Sequence, residues 1–121
     1  MPLVMIVDDS SFARANLRRS FEAAGYDISE AASGQKALEL VQNLTPDLVT
    51  LDLLMPGMNG METLKAMQPL CPKARFLVIS ADIQNATRQE LINAGAHGFL
   101  NKPVARDELI AAAARLLGDE A

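Results

Sequence analysis

The chain has 121 residues, half of them hydrophobic and 21% charged, with a formal net charge of -4. That length suits one compact domain with a real core and is too short for two. The acidic balance and the lack of any basic run argue against nucleic acid or a lipid surface as the main partner.

Other features place the chain among soluble proteins of a reducing compartment. The apolar runs are strand-sized, far short of the ~20 residues of a membrane helix. Met1-Pro2-Leu3 leads straight into a strand-like segment, which leaves no room for a signal peptide. Cys71 is the only cysteine and has no disulfide partner within the chain, so the expected location is the cytoplasm.

Leu3 to Val7 is a run of consecutive apolar residues that stops at Asp8-Asp9. Such a run, unlike an alternating one, fits a parallel strand covered on both faces. Ala13, Leu17, Phe21 and Ala24 then recur at near-helical spacing, and Gly25 supplies a stop. A second strand fits Asp27 to Ala31. Ser33 is placed to cap a helix carrying Ala37, Leu38, Val41 and Leu44, with Pro46 after its end.

Leu48 to Leu51 reads as a third strand, again closed by an aspartate, Asp52. Asn59 with Glu62 three residues on has the form of a capping box for a helix to about Met67. Phe76 to Ile79 gives a fourth strand ending at Ser80. A helix over roughly Gln84 to Ala94 stops at Gly95, Gly98 to Asn101 forms a short fifth strand, and Lys102-Pro103 follows. The last helix carries Leu109, Ile110, Ala113, Leu116 and Leu117, with Gly118 as its stop.

Strands alternating with helices predict an α/β fold, a doubly wound five-stranded parallel sheet with helices on both faces and right-handed crossovers. The order 2-1-3-4-5 suits five strands, and ligands in such sheets bind beyond the carboxyl ends of the strands at the switch point, here between the first and third. Asp8, Asp9, Asp52, Ser80 and Lys102 should therefore converge on one edge. One strand-terminal aspartate is ordinarily a turn or cap. Five chemically related residues at the right strand ends are not explained that way.

Three neighbouring carboxylates repel one another and need a cation or raised pKa values. An all-oxygen cluster suits a hard ion, and Mg²⁺ held by carboxylates plus phosphate is the usual solution. A carboxylate can attack phosphorus to give an acyl phosphate. A lysine ammonium and a serine hydroxyl can supply charge and a hydrogen bond to phosphoryl oxygens.

These residues make the chain resemble the receiver domains of bacterial two-component response regulators, the single-domain CheY-like members above all. The resemblance spans nearly the whole chain: Asp8-Asp9, Asp52 with Met55-Pro56 behind it, Ser80-Ala81 and Lys102-Pro103. CheY itself has the flavodoxin-like order 2-1-3-4-5, the order the resemblance implies here. The resemblance implies that Asp9 and Asp52 bind Mg²⁺ directly, with the Leu54 backbone carbonyl as a third protein ligand and Asp8 acting mainly through water.

It further implies that Asp52 takes a phosphoryl group from a phosphohistidine on a sensor histidine kinase or histidine phosphotransfer protein, with Ser80 and Lys102 contacting the phosphate. Phe99, three residues before Lys102, falls at the switch aromatic, although a plain core aromatic is the competing reading. On the same basis residues 1–121 form a receiver domain with no output domain. The signal would leave through the face of the fourth helix, fifth strand and fifth helix to a downstream protein target. Ser80-Ala81-Asp82-Ile83-Gln84 with Asn101-Lys102-Pro103 is similar to chemotaxis receivers that work with CheC- or CheX-type phosphatases; a motor target and a phosphorelay both stay open.

Two departures stand out. Asn59 replaces the aspartate often found in the motif after the acceptor, and it keeps the capping oxygen. Leu54 is apolar where many relatives are polar, while Asp82 adds an acid beside the site. Leu54 also argues against a haloacid-dehalogenase-type phosphatase, which needs a second acid two residues after its nucleophile. Asp8-Asp9 stands where a flavodoxin-like FMN binder needs a Ser/Thr-rich loop. The intact acidic set argues against a degenerate receiver used only for binding.

The remaining candidates have plainer readings. His97 is read as a surface loop residue, since no second histidine accompanies it, and Cys71 as inert. Met55, Met58, Met61 and Met67 read as gap fillers around the third helix. Arg14, Arg18 and Arg19 read as a solvated face, with docking of an acidic partner as the alternative. Pro103 fixes a turn, and its bond to Lys102 is a candidate for the cis form.

Overall fold

A computed structural model describes residues 1–81 and 83–118. Five strands, β1 (Leu3–Val7), β2 (Asp27–Ala31), β3 (Leu48–Leu51), β4 (Arg75–Ser80) and β5 (Gly98–Asn101), alternate with five helices. The helices are α1 (Ser11–Ala23), α2 (Gly34–Leu40), α3 (Gly60–Met67), α4 (Asn85–Ala94) and α5 (Arg106–Leu117). The strands form one parallel sheet in the order β2-β1-β3-β4-β5. Among the described residues no helix is long and apolar enough to cross a membrane.

The unbroken apolar runs are explained by two cores. Successive strand residues point to opposite faces, so Met5 and Val7 of β1 join one cluster while Val4 and Ile6 join the other. The first cluster includes Ala37 of α2, Leu64 and Met67 of α3 and Leu91 of α4. The second includes Leu17 and Phe21 of α1 and Leu109, Ala112 and Ala113 of α5.

Capping follows the sequence closely. The Asn59 side chain accepts from the Glu62 amide at 2.9 Å, and the Glu62 carboxylate accepts from the Asn59 amide at 3.1 Å, closing the expected box. Ser33 caps α2, and Ser10, not anticipated, caps α1 by accepting from the Ala13 amide at 3.1 Å. Gly95 ends α4 in the left-handed region at φ 114°, where a side chain would be strained.

Two boundaries differ from expectation. β4 begins one residue early, at Arg75, and α2 ends at Leu40. Gln42 and Asn43 donate instead to carbonyls three residues back, Glu39 and Leu40. The last turn thus mixes three- and four-residue steps, the Leu44 amide still donating to the Leu40 carbonyl at 2.9 Å, before Pro46 stops it. Val41 and Leu44 still pack on the core from this looser turn.

Candidate functional site

The acids at the strand ends are placed by the sheet itself. The Asp8 amide donates to the Ala31 carbonyl of β2 and the Asp52 amide to the Val7 carbonyl of β1, both at 3.1 Å. Each acid therefore continues the hydrogen bonding of its strand by one step. Asp8 and Asp52 are buried, at 2% and 8% exposure, whereas Asp9 is exposed. One carboxylate oxygen from each of the three lies within 4.8 Å of the others.

Lys102 enters this cluster after β5. Its amide donates to the Ser80 carbonyl at 2.9 Å, lacing the ends of β4 and β5. Its ammonium donates to Asp8 Oδ2 at 2.8 Å and Asp52 Oδ2 at 2.9 Å. Burial works to lower the Lys102 pKa, but the bonds to Asp8 and then Asp52 outweigh it, so the ammonium is held above its ordinary range. The Lys102–Pro103 bond is cis.

The other carboxylate oxygens are also engaged. Asp8 Oδ1 accepts from the Ser10 amide at 2.9 Å, and Asp52 Oδ1 from the Leu54 amide at 3.1 Å. The Leu54 side chain is 65% exposed. Ser80 is fully buried, and its hydroxyl has no partner among the described residues. A buried orphan hydroxyl costs free energy unless a ligand or water satisfies it.

Three carboxylates against one ammonium leave two excess negative charges. A divalent cation would balance them, and the all-oxygen donor set has the hardness Mg²⁺ prefers. The residues thus fit the ion implied by the sequence.

Behind Asp52, α3 approaches so closely that a Cβ on Gly60 would lie 2.4 Å from the Asp52 carbonyl oxygen and 2.6 Å from Leu53 Cα. Phe99 pairs in register with Val78, is half-buried against the core, and has the Arg88 guanidinium 5.2 Å over its ring. Asp82 lies outside the described residues.

The plainer expectations meet mixed outcomes. Met55 and Met67 are core residues and Met61 packs on the core, as gap fillers should. Cys71 is buried, which pushes its thiol pKa up and keeps it from acting as a ready nucleophile. His97 is exposed, yet its ring stacks on Phe76 with centroids 6.3 Å apart, and its Nδ1 accepts from the Phe76 amide at 3.0 Å.

The arginines of α1 are not a simple solvated face. Arg14 donates to Glu30 at 3.1 Å and to the Asp8 carbonyl at 2.6 Å, and Arg18 donates to Glu30 at 2.6 Å. This link between α1, β2 and the acidic loop was missed because Glu30 is 16 residues from Arg14. Only the placement of β2 beside β1 brings them together.

A doubly wound sheet with an acidic pocket and a lysine at its carboxyl edge is a class that known proteins also populate. Residues 4–114 match the family described as the response regulator receiver domain. Protein CcdB of Bacillus subtilis is 38% identical over 98% of this chain and 99% of that protein. Chemotaxis protein CheY of Thermotoga maritima is 43% identical over 83% of this chain and 84% of its own length. Among solved structures, Vibrio cholerae chemotaxis protein CheY4 superposes with a TM-score of 0.91 at 32% identity, covering 96% of this chain and 98% of that one. The chain belongs to the response regulator receiver domain family and is CheY-like in sequence and fold.

Proposed function

We propose that this chain is a phosphoacceptor signalling domain, with Asp52 taking a phosphoryl group from the phosphohistidine of a sensor histidine kinase or histidine phosphotransfer protein. An Asp52 carboxylate oxygen attacks phosphorus, the phosphorus–nitrogen bond breaks, and the imidazole leaves with the bonding pair and takes up a proton. Asp9, Asp52 and the Leu54 carbonyl would hold Mg²⁺ directly and Asp8 mainly through water, and the ion when bound would supply positive charge to the phosphoryl oxygens. Lys102 moves its bond from Asp52 to the incoming phosphoryl group, and the Ser80 hydroxyl gains there the partner it otherwise lacks.

The observation that carries this reading is the single ammonium bridging two buried acids in a three-carboxylate cluster. An apolar groove beside it is lined by Phe12, Leu17, Ile79, Pro103 and Val104 together with Lys102, and Phe12 is 73% exposed. It gives a phosphodonor protein a surface to rest on. Movement of Ser80 toward phosphate frees space for Phe99 and shifts a two-state equilibrium of the α4-β5-α5 face, where a downstream target binds.

Residues 1–121 act in the cytoplasm as a receiver domain whose chemistry is self-phosphorylation and autodephosphorylation. The chemotaxis proteins among the relatives favour a role in chemotaxis or motility, with a CheC- or CheX-type phosphatase to reset the domain. The test is intact mass after incubation with Mg²⁺ and a small phosphodonor. Wild type gains one phosphoryl group, labile at alkaline pH, and Asp52→Asn gains none. Equal labelling of both proteins would sink the assignment.

A further inference from the structure

Asp9 is the least supported member of the acidic cluster. Asp8 is fixed by its amide bond to Ala31 and by bonds from Ser10 and Lys102 to its two oxygens. Asp52 is fixed in the same manner by Val7, Leu54 and Lys102. The exposed Asp9 carboxylate has no hydrogen bond to another described residue. Its direction is set through the backbone, and the Asp8 carbonyl belongs to the peptide that joins the two acids.

That carbonyl accepts from Arg14 Nη1 at 2.6 Å, a short charge-assisted bond. The guanidinium is fixed from behind, because Arg14 Nε donates to Glu30 Oε1 at 3.1 Å. Glu30 is itself gripped through its other oxygen by Arg18, at 2.6 Å. The Arg14 side chain is 17% exposed and that of Arg18 43%, so Arg14 is the more enclosed of the two. Two arginines thus hold one glutamate, but only one of them reaches the acidic loop.

We propose that Arg14 is a positioning residue for the metal site, and that it fixes the Asp8–Asp9 peptide so that the Asp9 carboxylate faces the ion, with Glu30 orienting Arg14. This rests on the reading of the acidic cluster as a Mg²⁺ site. Groups that orient metal ligands in this way cost on the order of 10–100-fold in metal affinity when removed. A staple between α1 and β2, by contrast, would make Arg14 and Arg18 equivalent, since both bind Glu30.

The experiment measures Mg²⁺ affinity by calorimetric titration of wild type, Arg14→Gln, Arg14→Lys, Glu30→Gln and Arg18→Gln, with urea unfolding of each metal-free protein alongside. Arg14→Gln weakens Mg²⁺ binding about tenfold. Arg14→Lys, which can donate to the carbonyl but not fork to Glu30 as well, and Glu30→Gln fall between it and wild type. Arg18→Gln lowers the urea midpoint yet leaves Mg²⁺ affinity within about twofold, because it touches no group next to the ligands. Should Arg14→Gln prove unfolded, the Arg14→Lys and Glu30→Gln titrations decide in its place. Wild-type Mg²⁺ affinity in all the folded Arg14 and Glu30 variants overturns the proposal alone, as does an equal loss in Arg18→Gln. No Mg²⁺ binding by wild type overturns the metal reading and this proposal together.

Discussion

Lys102 Nζ lies 2.9 Å from Asp52 Oδ2, so the ammonium of the site and its candidate nucleophile are paired before any phosphoryl group arrives. The same ammonium holds Asp8 at 2.8 Å. Removing it leaves buried acids facing one another, and an uncompensated buried charge is strongly destabilising. Lys102→Ala is expected to lose about 1–3 kcal/mol in metal-free urea unfolding at neutral pH, discounted for partial exposure. Added Mg²⁺ should then stabilise the variant more than wild type; an equal metal effect in both would show that Lys102 does not balance the cluster. Because the Lys102 pKa is raised, the pairing is fully present below the ordinary lysine range and lost only as pH climbs through the raised value.

The effects of Ser80→Ala should run in opposite directions on stability and on switching. The hydroxyl is buried with no partner among the described residues, so deleting it removes an unsatisfied group and should leave stability unchanged or raise it by up to about 1 kcal/mol. It also removes the proposed contact to phosphate. Amide shifts on α4, β5 and α5 induced by a phosphate analogue should shrink in the variant, and full-sized shifts would exclude the serine from switching.

Gly60 supplies a steric prediction. A methyl group there would overlap the Asp52 carbonyl and Leu53 Cα, both backbone atoms that no rotamer change can move away. Gly60→Ala should cost about 1–3 kcal/mol by overpacking and displace the acceptor strand's end. Thermal melts test the first part, and a lower yield of phosphorylated protein under fixed donor conditions tests the second.

His97 gives a pH dependence. Burial first, and the nearby Arg75 charge second, hold its pKa below the usual imidazole range. The fold therefore favours neutral His97, whose Nδ1 must stay free to accept from the Phe76 amide. Its contribution is complete above about pH 6.5 and is lost as pH falls through that value toward the lowered pKa. The protein has a single histidine, so one ring-proton titration followed by NMR reads the value directly. His97→Ala should flatten the stability slope below about pH 6.5.

The strand ends were legible because each apolar run stops at a polar residue with site chemistry, and the parallel rule then sends those ends to one edge. Asn59-Glu62 and Gly95 were legible because capping is local. What stayed hidden was non-local or depended on strand pleat. The adjacent acids Asp8 and Asp9 look equivalent in sequence, yet one is buried and the other exposed. Glu30 carries no mark of its link to Arg14, and the spacing of Ala37, Leu38, Val41 and Leu44 does not show that the turn after Leu40 tightens to three-residue bonds.

The hydrogen bonds from the Asp8 amide to the Ala31 carbonyl and from the Asp52 amide to the Val7 carbonyl make the spacing of the two acids a property of the sheet and not of a loop. Separating these acids means unzipping the ladder at its most buried strand, so their separation works as a fixed gauge. An incoming group must be sized to that gauge, and any adjustment falls to the parts hung beyond the strands, the exposed Asp9 and the long stem of Lys102. Fidelity for a small hard ion would thereby be inherited from strand pairing, which the chain needs in order to fold at all.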